Sequence, residues 1–400
     1  RIQNPESRIQ NPEGGRQKAE SRIQNPESRI QSLESNIQNP KSKIQNPFLL
    51  TLSARTPVAL QEMADRYARH LAAHPDLAME DVCWTANGGR SHFNHRLAFL
   101  APSLPSLGSL LEVVLAGQPH PQVYRGRSGG ASPAVVFVFS DGLPQGAIAA
   151  QILDAHPLLR QELDRWQALC GADALAKGDS AIGVLATQYA LARLWIAWGI
   201  APKALTGWGI GRIVAACVAG GIGLEDGLRL AIAHDLGRHT AAGADPWQEV
   251  RAIAPTLTYH PPVYSLLDGA PGTAGASVLR DGQDWERWLT RPTDSSLVQD
   301  LEQSGMDGAI ALGTLPEDGW GAIAQTSTRS TATVELPPDH RDPLWLASIG
   351  HDGQVWPHLL DALAQLYVQG ATIDWRQVQS GGRPVSLPTY PFQRQFFAIQ

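Results

Sequence analysis

Charged residues are scarce in this 400-residue chain: Asp, Glu, Lys and Arg make up 18% of it, against about a quarter in typical soluble domains. A surface so thinly charged is expected where much of it packs on something else, as in a piece of a larger assembly. The charge that is present carries no basic excess. A formal net charge of -6 and a pI of about 6.1 exclude the basic patch or stripe that nucleic-acid binding requires. Cysteine is rarer still. Cys83, Cys170 and Cys217 have no CxxC or metal-like spacing, so disulfides and structural zinc are set aside, no metal or cofactor site is expected, and a reducing, cytoplasmic setting follows. Long apolar runs are missing too. The most apolar window, Ala181–Ile200, is interrupted by Gln188 and Arg193, and the N-terminus is polar, so neither a membrane span nor a signal peptide is expected.

The chain exceeds the usual single-domain size of roughly 100–200 residues, so two or three packed units are expected. It opens on Arg1 and stops at Gln400 without a closing motif, which reads as an excerpt from a longer polypeptide. Residues 1–47 repeat every seven residues, as in RIQNPES (1–7, 22–28) and NIQNPKS (36–42). A heptad suggests a coiled coil, but each recurring Asn-Pro removes a helical N–H and clashes with the preceding turn, and only one Ile recurs per repeat. The segment reads as a disordered linker, with a docking tract as the functional alternative.

At Phe48 the composition changes. FLLTLSA (48–54) predicts a strand, 58–75 a helix by apolar spacing, and 83–103 a polar turn followed by a strand. GRSGGAS (126–132) is a loop. AVVFVFS (134–140) has the continuous apolar character of a strand buried on both faces of a parallel sheet. Helices are predicted at 145–155, 157–169, 181–198 and 212–221, and strands at 204–208, 261–269 and 308–314. A last helix and extended segment cover 357–378, and a Pro-punctuated tail at 384–397 is expected to wrap over another surface. Strands alternating with helices imply a doubly wound α/β domain.

One turn concentrates the chemistry. ALTGWGIGRIVAACVAGG (204–221) has strand, sharp turn and helix in the order of a nucleophile elbow, G-x-S-x-G, in which a strained turn lifts a serine above the sheet. The five residues are Gly207, Trp208, Gly209, Ile210 and Gly211. The nucleophile position is Gly209, and glycine has no oxygen with which to form an acyl-serine.

With these residues in view, the chain resembles the acyltransferase region of a modular type I polyketide synthase from Phe48 to its end. FLLTLSA and VCWTANGGRSHFNHRLAFLA (82–101) resemble the ketosynthase-to-acyltransferase linker. AVVFVF, 188–231 and PPVYSLLDG follow the acyltransferase pattern, and LYVQGATIDW (366–375) with LPTYPFQRQ (387–395) resembles the post-acyltransferase linker that packs on the ketosynthase. The resemblance implies an acyltransferase-like, α/β-hydrolase-like sheet and, after the disordered repeat linker 1–47, three segments: linker domain 48–130, large subdomain 131–338 and post-acyltransferase linker 339–400. It also implies a covalently linked ketosynthase, an acyl carrier protein as partner, and a dimeric parent synthase.

The departures fall on the family's catalytic positions. Its Gly-His-Ser-x-Gly elbow has Trp208 for the histidine and Gly209 for the serine, and its oxyanion loop, Pro-Gly-Gln-Gly, reads Ser140-Asp141-Gly142-Leu143, with Gly142 at the glutamine. His234 stands at the arginine that pairs the malonyl carboxylate, and the late Gly-Pro-His-Pro reads Gly313-Thr314-Leu315-Pro316. The family's ferredoxin-like subdomain has no room in the residues 239–263 and is expected to be deleted. His239 is the nearest surviving histidine, a weak relic base, since a base needs a nucleophile within hydrogen-bond reach.

Other readings of these residues are blander. Cys217, among Ala and Val, suits a buried inert thiol better than a reactive one. His234 and Asp235, adjacent on a helix, point in different directions and form no half-triad. The GxGxG spacing departs from G-x-G-x-x-G and Glu225-Asp226 opens a helix, so relief of elbow strain is preferred over nucleotide binding. His92 and His95 read as packing or hydrogen-bonding residues, and the tryptophans, Trp195, Trp198, Trp285 and Trp288 among them, mostly as core or interface anchors. The leading expectation is a pseudo-acyltransferase brace, with acyl units loaded by a trans-acting acyltransferase or the module not extending. The alternatives are residual acyl transfer or hydrolysis by a non-serine group over backbone oxyanion donors, and a docking platform for carrier proteins.

Overall fold

The computed structural model describes residues 46–143, 156–171, 180–240, 244–267, 281–290, 305–313, 344–350, 353–379 and 381–393. The chain divides into residues 1–45 and 46–400. The first unit, which holds most of the repeat, lies outside the described residues, as do the helix expected at 145–155, residues Thr314–Pro316 of the late motif, and the tail after Gln393.

A three-stranded antiparallel sheet opens the described chain: β1 (Phe48–Ala54), β2 (His95–Ala101) and β3 (Val123–Arg127), in that order, with Phe48 opposite Ala101 and Leu97 opposite Arg125. Helix α1 (Pro57–Ala73) starts where Thr56 accepts a hydrogen bond from Ala59 N and Pro57 pre-sets the first turn. Residues Met79–Gly88 form α2, which corrects the polar turn expected from residue 83; Gly88 and Gly89 belong to its C-terminal end, so the apolar positions before them were helical. Helix α3 (Leu104–Leu115) completes the unit, capped by Ser103. Alternation along β1 and β2 divides their side chains between two cores. Leu50, Leu52, Leu97 and Phe99 pack with α1 to α3, whereas Leu49, Ala98 and Leu100 face the large core.

The second sheet is parallel and five-stranded, in the order β6-β5-β4-β7-β8: β4 (Val135–Phe139), β5 (Ala204–Gly207), β6 (Ser265–Leu266), β7 (Gly308–Ala311) and β8 (Leu344–Ala347). β4 is buried throughout. Its Val135, Phe137 and Phe139 join the large core, and Val136 and Val138 a second cluster on the opposite face. Around the sheet run α4 (Pro157–Cys170), α5 (Ala181–Ala197), α6 (Ile210–Val218), α7 (Leu224–Arg238), α8 (Gln248–Ile253) and α9 (Gly282–Thr290). The strand expected at 261–269 shrinks to Ser265–Leu266, since Pro261 and Pro262 have no N–H to give to a ladder. Between Arg238 and Ser265 the described residues form α8, a 3-10 turn (Ala254–Thr256) and a single bridge, Ile222 to Tyr259. Trp195, Trp198 and Trp285 are fully buried.

Helix α10 (Trp356–Val368) lies between the two sheets, contacting β2, β3 and β8. It is followed by a short helix, α11 (Trp375–Val378), where an extended segment was expected, because the Asp374 side chain caps Arg376 N. The join is polar and buried. Arg96 donates from Nη1 to the carbonyls of Tyr367 (2.6 Å) and Ala371 (3.0 Å) and from Nε to Phe93 O (3.0 Å), and its guanidinium lies 4.7 Å from the Tyr367 ring centroid. A cation on the last carbonyls of a helix complements its dipole. His92 links Asn87 O (2.9 Å) to the Tyr367 hydroxyl (2.8 Å), so Nε2 carries its proton and Nδ1 accepts. The tail 381–393 runs back over the small unit: Arg383 N donates to Asp81, Val385 N to Thr85 Oγ1, Arg90 to Leu387 O, and Leu387 is buried in that core. No helix among the described residues is long and apolar enough to cross a membrane.

Two expectations follow. Arg96→Met strands the buried Ala371 carbonyl, leaves Tyr367 O to Gly370 N and frees the half-buried Phe93 O, and should cost about 1–3 kcal/mol in chemical denaturation; a loss below about 0.5 kcal/mol would show that the join does not depend on it. Burial lowers the pKa of His92 and His156 from the ordinary 6.5. His156 caps α4, accepting from Leu158 N at Nδ1 and donating from Nε2 to Gln377 O. Because the unfolded chain then binds protons first, the stability of the neutral imidazoles is present above pH 6.5 and falls as pH drops below it. His156→Asn, which keeps a cap acceptor without titrating, should flatten part of that slope in unfolding midpoints measured from pH 7.5 to 5.

Candidate active site

The strand order reverses at β4, whose neighbours are β5 on one side and β7 on the other. Open parallel sheets bind ligands at such a switch point, beyond the carboxyl ends of the strands. Three segments meet there. Ser140, just after β4, is tied to the fully buried Gln188 of α5: Ser140 N donates to Oε1 (2.9 Å) and Gln188 Nε2 donates to Ser140 O (2.8 Å). Ser140 Oγ in turn donates to Gly142 O (2.7 Å), so Gly142, the expected oxyanion-loop position, contributes an acceptor carbonyl to this network. Gly313, after β7, reaches the same place, for a Cβ on it would meet Gln188 Nε2 and Gly142 O within 3.0 Å.

From the other side comes the elbow. β5 ends at Gly207, and Gly209 turns the chain at φ 52°, ψ -129°, immediately before α6 begins at Ile210. That backbone is open to glycine and costs other residues about 1–3 kcal/mol. Gly211 serves packing: a Cβ there would collide with the backbone of Phe139 and Ser140. The ring of Trp208 packs on the sheet face opposite the large core, with Val136, Val138 and Trp345.

The space above Gly209 is filled. A Cβ built on Gly209 would fall within 3.0 Å of Cγ and both carboxylate oxygens of Asp141. Asp141 Oδ1 accepts from Ile210 N (2.8 Å), the first amide of α6, and Oδ2 accepts from Arg238 Nη1 (2.7 Å). A carboxylate is favoured at a helix N-terminus. His234, one turn before Arg238 on α7, is buried. Burial lowers its pKa, against which the Asp141 charge raises it and Arg238 adds a lowering effect. It lies 5.6 Å from the Trp247 ring, centroid to centroid. His239 is exposed and turned onto its own helix, with Nδ1 donating to Asp235 O (2.8 Å). Arg212, buried, donates from Nε to Gly207 O (2.8 Å) and fixes the end of β5 from inside α6.

Chemically, this elbow presents no hydroxyl or thiol at residue 209, and the amide that follows it is engaged by a carboxylate of the same chain. The sequence reading placed Asp141 in the oxyanion loop without giving it a role, and did not identify Gln188, Arg212 or Arg238 as parts of the site. Two signals were present: an acid directly after the first buried strand, and an arginine four residues beyond His234. A cleft of about 470 Å³ lies elsewhere, at the start of α7 between Arg165, Leu169, Glu225 and His260.

Comparison with known proteins bears on most of the chain. The family model described as "CurL-like, PKS C-terminal" matches residues 48–111. The Spectinabilin polyketide synthase system protein NorC of Streptomyces orinoci is 30% identical over 377 residues, covering 86% of this chain. Erythronolide synthase EryA3 of Saccharopolyspora erythraea is 25% identical over 88% of it. The acyl transferase domain of ZmaA superposes with a TM-score of 0.64 at 17% identity, covering 86% of this chain and 99% of that one. The chain belongs to the acyltransferase region of modular type I polyketide synthases. It spans 15% and 13% of the length of NorC and EryA3.

Within this acyltransferase region the cysteines are set apart from the elbow. Cys217, buried in α6, has its thiol pushed up to about 12 chiefly by burial, and burial raises Cys83 as well. Cys170, at the end of α4, is half-exposed. Under native conditions at pH 8, iodoacetamide should therefore label Cys170 first, with Cys217 and Cys83 reacting only on unfolding; peptide mass mapping with Cys217 labelled first would contradict this.

Proposed function

We propose that this acyltransferase region is a pseudo-acyltransferase, a scaffold segment that braces its synthase and does not load acyl units itself. Gly209 carries the reading: the turn keeps the strained geometry of a nucleophile elbow with no atom able to accept an acyl group. Asp141, the acid at the elbow, has both oxygens engaged, by Ile210 N and Arg238, which disfavours it as a substitute nucleophile. His234 and His239, the histidines considered as residual bases, have no hydroxyl or thiol at residue 209 to activate.

On this reading residues 131–338 are the degenerate acyltransferase body, and 48–130 with 339–400 the adaptors on either side. A ketosynthase on the same polypeptide is the partner of the adaptors. An acyl carrier protein receives its unit from an acyltransferase acting in trans, unless the module does not extend, and dimerisation belongs to the parent synthase. Two features support a bracing role: the Arg96 and His92 join between the sheets, and the tail, where the Phe392 ring meets Tyr390 edge-on at 5.1 Å yet stays 78% exposed, an apolar ring available for a further domain.

The test is the intact mass of the full chain after incubation with malonyl-CoA and acetyl-CoA beside an acyl carrier protein. Neither the chain nor the carrier protein should gain an acyl group. Gly209→Ser should stay unloaded too, because its Cβ meets the Asp141 carboxylate. An adduct on the unaltered chain, or a loaded carrier protein, would overturn the scaffold reading.

A further inference from the structure

The two edges of the small antiparallel sheet differ. Between β2 and β3, Leu100 N donates to Gln122 O (3.0 Å) and Ser128 N to Asn94 O (2.8 Å), so the hydrogen-bonded pairs, which fall on alternate residues of an antiparallel ladder, place Tyr124 and Gly126 inward. Val123, Arg125 and Arg127 therefore turn their N–H and C=O groups away from β2. The same alternation turns Leu49 and Thr51 of β1 outward, and there the buried Asn87 side chain stands in for a further strand: Oδ1 accepts from Thr51 N (2.9 Å) and Nδ2 donates to Leu49 O (2.7 Å). β3 has no such plug. Val123 N is taken up by His120 O (3.0 Å), but among the described residues none bonds the outward backbone groups of Arg125 or Arg127.

Charge selects what fits this edge. Arg125 and Arg127 lie on one face of the strand and are both exposed. Neither guanidinium meets a carboxylate among the described residues, and Arg125 gives its Nη2 to Val114 O (3.3 Å). A second copy joined edge to edge around these residues would set arginine against arginine, and like charges on opposed strands repel. The other face of β3 is closed, since a Cβ on Gly126 would collide with Val368 O of α10.

We propose that the β3 edge is a strand-addition site for an extended acidic segment of a partner polypeptide, which pairs antiparallel with β3 through the backbone of Arg125 and Arg127 and sets the two carboxylates of an acid-x-acid sequence against the two guanidiniums. The inference goes beyond the scaffold reading and is independent of whether the chain loads acyl groups.

The probe is the acetylated and amidated peptide TVEVEVT, added to the full chain. Before its addition, single-residue hydrogen exchange should find the amides of Arg125 and Arg127 unprotected beside protected Tyr124 and Gly126; the peptide should then slow both. In fluorescence anisotropy it should bind about tenfold more tightly than TVKVKVT, and than the same acidic peptide N-methylated at both glutamates, which keeps the charge and removes the ladder donors. Arg125→Glu with Arg127→Glu should reverse the preference between the acidic and basic peptides. Should that double variant not fold, Arg127→Glu alone changes one exposed side chain and should weaken the acidic peptide about threefold. Protection of Arg125 and Arg127 before the peptide is added, failure of the acidic peptide to bind, or equal binding of either control peptide would overturn the proposal.

Discussion

The architecture of the site depends on how closely the start of α6 approaches the end of β4. Gly211 lies against the Phe139–Ser140 backbone with no room for a side chain, and Trp208 N donates to Phe139 O (3.2 Å). The dipole end of α6 is thereby fixed beside the first residues after β4, so a short acidic side chain at 141 reaches Ile210 N without any loop rearrangement. Since β4 is buried on both faces and pairs with β5 and β7, this approach cannot relax without disturbing the centre of the parallel sheet. The elbow's shape is therefore set by packing, independently of whether a nucleophile stands on it.

That independence explains what was legible in the sequence. Strands with continuous apolar runs, such as Val135–Phe139, and helices with a clear apolar face, such as Pro57–Ala73, were readable because burial alone dictates them. The strand-turn-helix order at 204–218 was readable for the same reason, and so was the absence of a hydroxyl at Gly209. α2 was not: its last turn, Thr85–Gly88, reads as a loop, and the helical face shows only in the burial of Met79, Val82, Cys83, Ala86 and Asn87. β8, of four residues, carries too little pattern to stand out. Asp141 and Arg238 are 97 residues apart, and no local spacing announces a pair that exists only because α7 passes the end of β4.

The two polar centres of the molecule work in opposite senses. At the join, Arg96 and His92 bond the carbonyls of Asn87, Tyr367 and Ala371, and so tie the small sheet to α10 and the segment after it. At the elbow, a catalytic site would need its donors free for the moment when charge develops on a substrate, which means leaving amides underused in the resting state. Here Ile210 N is already satisfied. Where no nucleophile has to be presented, an unfilled donor at a helix start is only a cost, and an acid that fills it adds stability with no loss of function.

The elbow thus combines the turn geometry of a nucleophile elbow with a helix-start amide that is already satisfied. Four groups hold this elbow in shape: Gly209 removes the side chain from a strained turn, Asp141 caps α6, Arg238 ties α7 to that cap, and Arg212 holds the end of β5. His234 stands outside that set: its Nδ1 is buried and has no hydrogen-bond partner among the described residues, so it contributes packing and no hydrogen bond from that atom.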